Sequence, residues 1–230
     1  NAGLGDVTIE ADGDDDDDFA TDSITTDNND GVADITGSDI TLSAFGIITV
    51  QTQTTGSSVT ASTDGDDADI TLTNISAEDT DFEVTTTGTD ADITLTQQGG
   101  GNATLNPVTT ADGDIAVSVD NGDLVATLVT AGADGNIDFT TTTAGDIELG
   151  SVTAAADEVT LSSVDAILDT NDAAVNITAA LLDVNAADQV GEAADPIETE
   201  ITTLEETGVT GATWITELDT AGDGITLNPV

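Results

Sequence analysis

Three sets of acidic side chains in this chain have the spacing of oxygen-donor sites. Asp12, Asp14 and Asp16 alternate along one stretch, and Asp64, Asp66, Asp67 and Asp69 crowd a second. Asp69, Asp92 and Asp114, followed by Asn136, recur at one phase of a repeat. Carboxylates and carbonyls are the ligands of Ca²⁺, which takes about six to eight oxygens in flexible geometry. The residues nominated as metal ligands are therefore Asp12, Asp14, Asp16, Asp64, Asp66, Asp69, Asp92 and Asp114, with Ca²⁺ as the expected cofactor. An EF-hand is not among the expectations for residues 12–18, because Asp17 stands where the loop needs Gly. Asn28, Asp30 and Gly31 match the third, fifth and sixth loop positions, but Thr26 occupies the first. Each cluster also has a plainer reading, a solvated acidic turn. For the repeated set the plainer reading is that the carboxylates splay apart into solvent. Stacked about 5 Å apart, they would instead raise one another's pKa or recruit cations.

The same composition excludes most other chemistry. The chain has 230 residues, 47 of them acidic, and no Lys, Arg or His, for a formal charge of −47. Cys and Tyr are also absent. Catalytic triads, Schiff bases, thiolates and imidazole metal sites are thus unavailable. Two carboxylates can hydrolyse a glycoside, but acidic pairs are so frequent here that none stands out. No enzyme activity is expected. Nucleic acid and anionic membranes are excluded as direct partners, since no basic side chain exists to meet a phosphate. No apolar run approaches the roughly 20 residues of a membrane-spanning helix. The chain opens at Asn1 without a basic leader, so a processed protein or a piece of a longer one is expected.

The elements that must position these carboxylates are legible as a repeat. The hexads ADITLT (68–73), ADITLT (91–96), GDIAVS (113–118), GNIDFT (135–140) and DEVTLS (157–162) place Ile70, Ile93, Ile115, Ile137 and Val159 at steps of 23, 22, 22 and 22. A period in this range marks a solenoid, in which each repeat is one coil. Thr, Val and Ile dominate the hexads, which suits strands. Alternation is period two, with Ile70 and Leu72 facing one way and Thr71 and Thr73 the other. Val84, Leu105, Val125, Ile147 and Ile167 form a second series half a repeat later, so each coil is expected to hold at least two strands. Gly, Asp and Asn at 64–66, 112–114, 121–123, 134–136 and 145–146 supply the turns. The predicted fold is all-β, a right-handed parallel β-helix with coils of about 22 residues, the hand following the usual crossover preference. Three stretches are expected: irregular acidic coils or a cap over 1–60, a regular solenoid over 61–185, and variant coils over 186–230. Residues 44–48 are expected to be an inserted loop or a coil of altered shape.

The hexads, together with residues 190–230, resemble the tandem repeats of large bacterial surface proteins of the filamentous-haemagglutinin-like and autotransporter-type adhesin class. The resemblance rests on Gly191, Ala193, Ala194, Pro196, Ile197 and Leu204, then Gly224, Ile225 and Leu227, and covers about residues 60–230. It implies an extracellular, elongated, non-enzymatic rod. The chain departs from that class in lacking every basic residue, so a host ligand bound through basic patches does not carry over.

The expected function is a secreted structural or adhesive rod of the bacterial surface or matrix. It would associate end to end or laterally through open sheet edges and be stabilised by divalent cations. A surface glycan or host ligand is the open question of its partners. The alternative is a Ca²⁺-dependent binding module for ice or carbohydrate. Thr71 with Thr73, Thr94 with Thr96 and residues 140–143 would line an ice-binding face, and at 2% aromatic residues a sugar platform is disfavoured. A third reading is a halophile surface-layer protein in which salt takes the role of calcium.

Overall fold

The computed structural model describes residues 5–11, 22–26, 31–218 and 225–228. Among them are seventeen strands and no helix. Every strand pairing is parallel. The strands stack as a β-solenoid of about 9 turns, roughly 22 residues apart, a stack about 40–45 Å tall at the usual strand spacing. The absence of a helix among the described residues means that no helix long and apolar enough to cross a membrane is found there.

Each coil carries two main faces. On the first, Ile24, Ile48, Ile70, Ile93, Ile115, Ile137, Val159, Leu182, Leu204 and Leu227 lie directly over one another. Rungs from Ile48 to Leu182 are almost wholly buried, Leu204 is partly buried, and Leu227 is 67% exposed. β-Branched and γ-branched side chains fill such a pile because identical neighbours one strand apart interdigitate along the axis. Each buried rung contributes about 1.5–3 kcal/mol. The column runs further than the five hexads suggest. Residues 44–48 are no insertion: Ile35–Ala44 ends one strand, Ile48–Thr63 begins the next, and Ile48 takes its place in the pile.

The second face corrects the second apolar series. Val84 stacks on Val108, Leu105 on Phe82 and Ala126, Val125 on Thr104 and Glu148, and Ile147 on Leu124 and Ile167. The series therefore samples different columns and points both in and out. The inward columns are Phe82, Leu105, Ala126 and Leu149, and beside it Val84, Val108, Val129, Val152 and Ile177. A register shift between Phe82 and Val84 against Leu105 and Val108 breaks the even spacing, as bulges do. Long strands such as Ile48–Thr63, Ile147–Ser163, Ile177–Ala186 and Ile197–Glu206 run around a corner and serve both faces.

The interior is not uniformly apolar. Thr52, Asn74 and Gln97 stack in register and are buried. Asn74 Nδ2 donates to Thr54 Oγ1 (3.2 Å), Thr80 Oγ1 (3.0 Å) and Gln97 Oε1 (2.9 Å). Its Oδ1 accepts from Thr52 Oγ1 (3.0 Å) and the Thr54 amide (3.2 Å). A polar core of this kind is tolerable because its members are partnered.

Candidate functional site

The corners of the coil carry the acidic residues, and tight stacking shapes them. At Gly145 φ is +120° and a Cβ would lie 1.9 Å from the Gly122 carbonyl one coil away, so only glycine fits. Gly113 and Gly135 have ordinary φ, and there the need is space alone, against the carbonyls of Ala91 and Gly113. Left-handed backbone at the corners falls to Asp67, Asp90 and Asn121, residue types that tolerate it.

The repeated carboxylates do stack, and their oxygens turn along the axis to the next coil's backbone. Asp69 Oδ1 accepts from the Asp92 amide (3.0 Å), Asp92 Oδ1 from the Asp114 amide (2.8 Å), and Asp114 Oδ1 from the Asn136 amide (2.8 Å). Asn136 Nδ2 adds a bond to Asp114 Oδ1 (3.1 Å), and Asn136 Oδ1 accepts from Glu158 N (3.2 Å). A second ladder repeats the device. Asp79, Asn102, Asp123 and Asp146 accept in turn from the amides of Asn102, Asp123, Asp146 and Ala166, at 2.8–3.0 Å. At a third corner Asp64 Oδ1 accepts from the Thr87 hydroxyl (2.9 Å), Asp66 Oδ1 from the Thr89 amide (3.0 Å) and Asp112 Oδ1 from the Asp134 amide (3.3 Å).

Magnitudes explain why this works. Two unit charges 5 Å apart repel by about 0.8 kcal/mol in water and about 3 kcal/mol at an effective permittivity of about 20. A hydrogen bond to a charged group returns about 1.5–3 kcal/mol. One backbone donor per carboxylate therefore offsets one neighbour at an exposed corner. Asp66 is held below the usual carboxylate range by the Thr89 amide, with the Thr89 hydroxyl adding to it. Asp92 is pushed up, first by burial and then by Asp114, Asp69 and Asp90, against the pull of the Asp114 amide. Glu148 is raised by burial and by Asp123 and Asp146.

The nominated ligands are therefore distributed as follows. Asp69, Asp92 and Asp114 form one ladder, and Asp64 and Asp66 sit at an adjacent corner bonded to Thr87 and Thr89. Asp12, Asp14 and Asp16 lie outside the described residues, as do Asn28 and Asp30. Among the described residues no three acidic side chains are gathered as a metal-binding group.

The threonine rows also fall differently from expectation. Thr25, Thr49, Thr71 and Thr94 share a column, but Ala116 and Asp138 continue it. The small Ala116 and Ser118 leave a shallow trough between Thr94 and Thr96 on one side and Asp138 and Thr140 on the other. The longest row is on the second face, where Thr85, Thr109, Thr130, Thr153 and Thr178 stack over five coils. It is one residue wide, since Glu83, Pro107, Leu128 and Ser151 stand two places before its first four members.

Sequence reasoning missed a cluster in the upper coils. Asp169, Asn171, Asn176, Asp195 and Glu198 come together from three segments, and neither hexads nor turn signals mark them. The extra chain between Ile167 and Ile177 was the available signal. In comparisons with known protein families, curated proteins and solved structures, no match to the chain is found.

Proposed function

We propose that the protein is a non-enzymatic structural or adhesive rod of the bacterial cell surface, extending by end-to-end association and stabilised by cations from solution. The observation that carries this reading is the parallel ladder with an unpaired edge at each described end. Among the described residues Val7–Ala11 pairs only with Ile35–Ala44, and Thr226–Asn228 only with Ile197–Glu206. Such edges are templates for another strand. A second copy offers the matching edge, the same rise and the same column of aliphatic rungs.

The repeat suits a mechanical role. Stiffness comes from the backbone ladder, cohesion from the aliphatic pile, and the corner amides relieve part of the acidic repulsion. The remainder of the −47 charge has no counter-ion within the chain, so screening and divalent binding supply it. An extracellular setting, rich in calcium, fits this need.

Thermal melts in Ca²⁺, in chelator, and in chelator with molar NaCl test the reading, with electron microscopy of the same samples. The expected order of midpoints is calcium above salt above chelator, with filaments in calcium. An unchanged midpoint in chelator at low salt sinks the calcium dependence, a midpoint restored fully by NaCl supports the halophile alternative, and monomers in every condition sink the assembly.

A further inference from the structure

The upper coils carry extra chain at one position. Ile147 to Val152 takes five steps, whereas the stacked segments Ile167 to Ile177 and Val190 to Thr199 take ten and nine. The excursions, residues 170–176 and 191–196, therefore leave consecutive coils at the same place. Asn176, the last residue of the first excursion, is fully buried. Its Nδ2 is 2.9 Å from Leu149 O, 3.4 Å from Gly150 O, 2.5 Å from Asp169 Oδ1 and 3.1 Å from Asn171 Oδ1. Its Oδ1 accepts from the Glu198 amide at 2.8 Å. Three of these oxygens have a further donor: Leu149 O accepts from the Thr170 amide (3.0 Å), Gly150 O from Asn171 Nδ2, and Asp169 Oδ1 from the Asn171 amide (2.8 Å). Two other oxygens nearby go unserved. Asp169 Oδ2 and Glu198 Oε2 are buried with no hydrogen-bond partner, and Glu198 is 6% exposed. Asp195, from the upper excursion, brings its carboxyl against Asp169. At the corners a backbone amide meets each ladder carboxylate at a surface open to water; here one oxygen of Asp169 and one of Glu198 are buried without a donor, and no Lys, Arg or His exists anywhere in the chain to supply one.

We propose that this cluster binds one divalent cation, Ca²⁺ by its chemistry, through the carboxylates of Asp169, Asp195 and Glu198 and the amide oxygen of Asn171. Every donor is an oxygen, and the donors come from two excursions and two strands, which suits the large, irregular sphere of Ca²⁺ better than the strict octahedron of Mg²⁺. As they stand, the three carboxylates are not a ready-made metal-binding group, so binding requires them to draw together. Burial, with Asp169 next, pushes both Glu198 and Asp195 up, a sign of the same deficit of positive charge. The proposal deepens the cation-stabilised rod of the preceding section and rests on it only for the setting.

Trp214 provides the test. It is the single tryptophan and there is no tyrosine. Its carbonyl accepts from the Ile197 amide at 3.0 Å, which places it one coil from Glu198. Tb³⁺, an oxygen-seeking stand-in for Ca²⁺, should emit on indole excitation in the full chain at physiological ionic strength and be displaced by Ca²⁺. Glu198→Gln and Asp169→Asn should each weaken this sensitised binding about tenfold or more, while Asp114→Asn at a corner leaves it unchanged. Asp195→Asn, in the excursion, serves as the second variant where a buried change impairs folding, judged by circular dichroism. Equal sensitised binding in wild type, Glu198→Gln and Asp195→Asn overturns the site. A calcium-dependent melting midpoint with no such site leaves the rod reading standing, and a site with no effect of calcium on the midpoint does the reverse.

Discussion

The coils from Asp64 to Ala166 and those from Ile167 to Glu217 have the same strands, spacing and lack of basic residues, yet they handle acid differently. In the lower coils each ladder Asp meets the amide of the next turn. In the upper coils Asp169 Oδ1 accepts from the Asn171 amide within its own excursion, while Asp169 Oδ2 and Glu198 Oε2 are left buried without donors. Density of carboxylates is therefore not what makes a cation site in this fold. The supply of backbone donors is, and it depends on uniform coil length. A regular repeat makes every corner its neighbour's acceptor, while an excursion breaks that reciprocity.

The largest loss of stability is expected at Gly145. Replacing it with Val puts a side chain into the Gly122 carbonyl at positive φ, and a loss of about 3 kcal/mol or more is expected, read by denaturant unfolding. A tolerated Val would mean the coils do not stack as closely as the ladders require. Asp114→Ala should come next, at about 1–3 kcal/mol, because it strips the acceptor from both the amide and the side chain of Asn136. Asp114→Asn keeps an acceptor and should cost less than Ala.

Glu198→Gln should have the opposite sign in chelator. It removes a buried charge whose Oε2 lacks a donor, so the variant should gain about 1 kcal/mol, measured by the same unfolding curves. A destabilised variant in chelator would place Glu198 with the satisfied corner carboxylates and erase the contrast. The pH response sharpens it further. Asp92, Glu148, Asp195 and Glu198 are raised in the folded state and Asp66 is lowered. A raised group favours the folded state fully below its unfolded pKa, and that contribution is lost as pH rises through the folded value. The lowered Asp66 acts the other way, stabilising above its unfolded pKa and losing this as pH falls. With four against one, the melting midpoint in chelator should rise on acidification from neutrality toward about pH 4–5. A midpoint that only falls over that range would show that the corner bonds govern the titration.

Much of the fold was legible because stacking imposes its period on the chain. Ile70 to Val159 mark one column, and the same step continues to Ile48 and Ile24 below and to Leu182, Leu204 and Leu227 above. Those rungs were harder to see because the hexad around them changes while the inward position does not. The second face was legible as a strand but not in register, since an extra residue between Leu105 and Val108, opposite Phe82 and Val84, breaks the spacing. Asn74 and Gln97, inside the coil, broke the apolar pattern and were invisible as a partnered core, because their partners lie one coil away.

For the acidic residues the division is sharper. Period and composition are enough to fix a stack of coils, a column of Asp69, Asp92 and Asp114, and the want of any cationic side chain to neutralise them. Periodicity and composition are local or additive properties, so they can be read along the chain. Which carboxylate oxygens meet a donor and which are buried without one follows from the packed coils alone. That outcome depends on the alignment of residues some 20 positions apart to within a hydrogen bond's length, and a five-residue excursion is enough to change it.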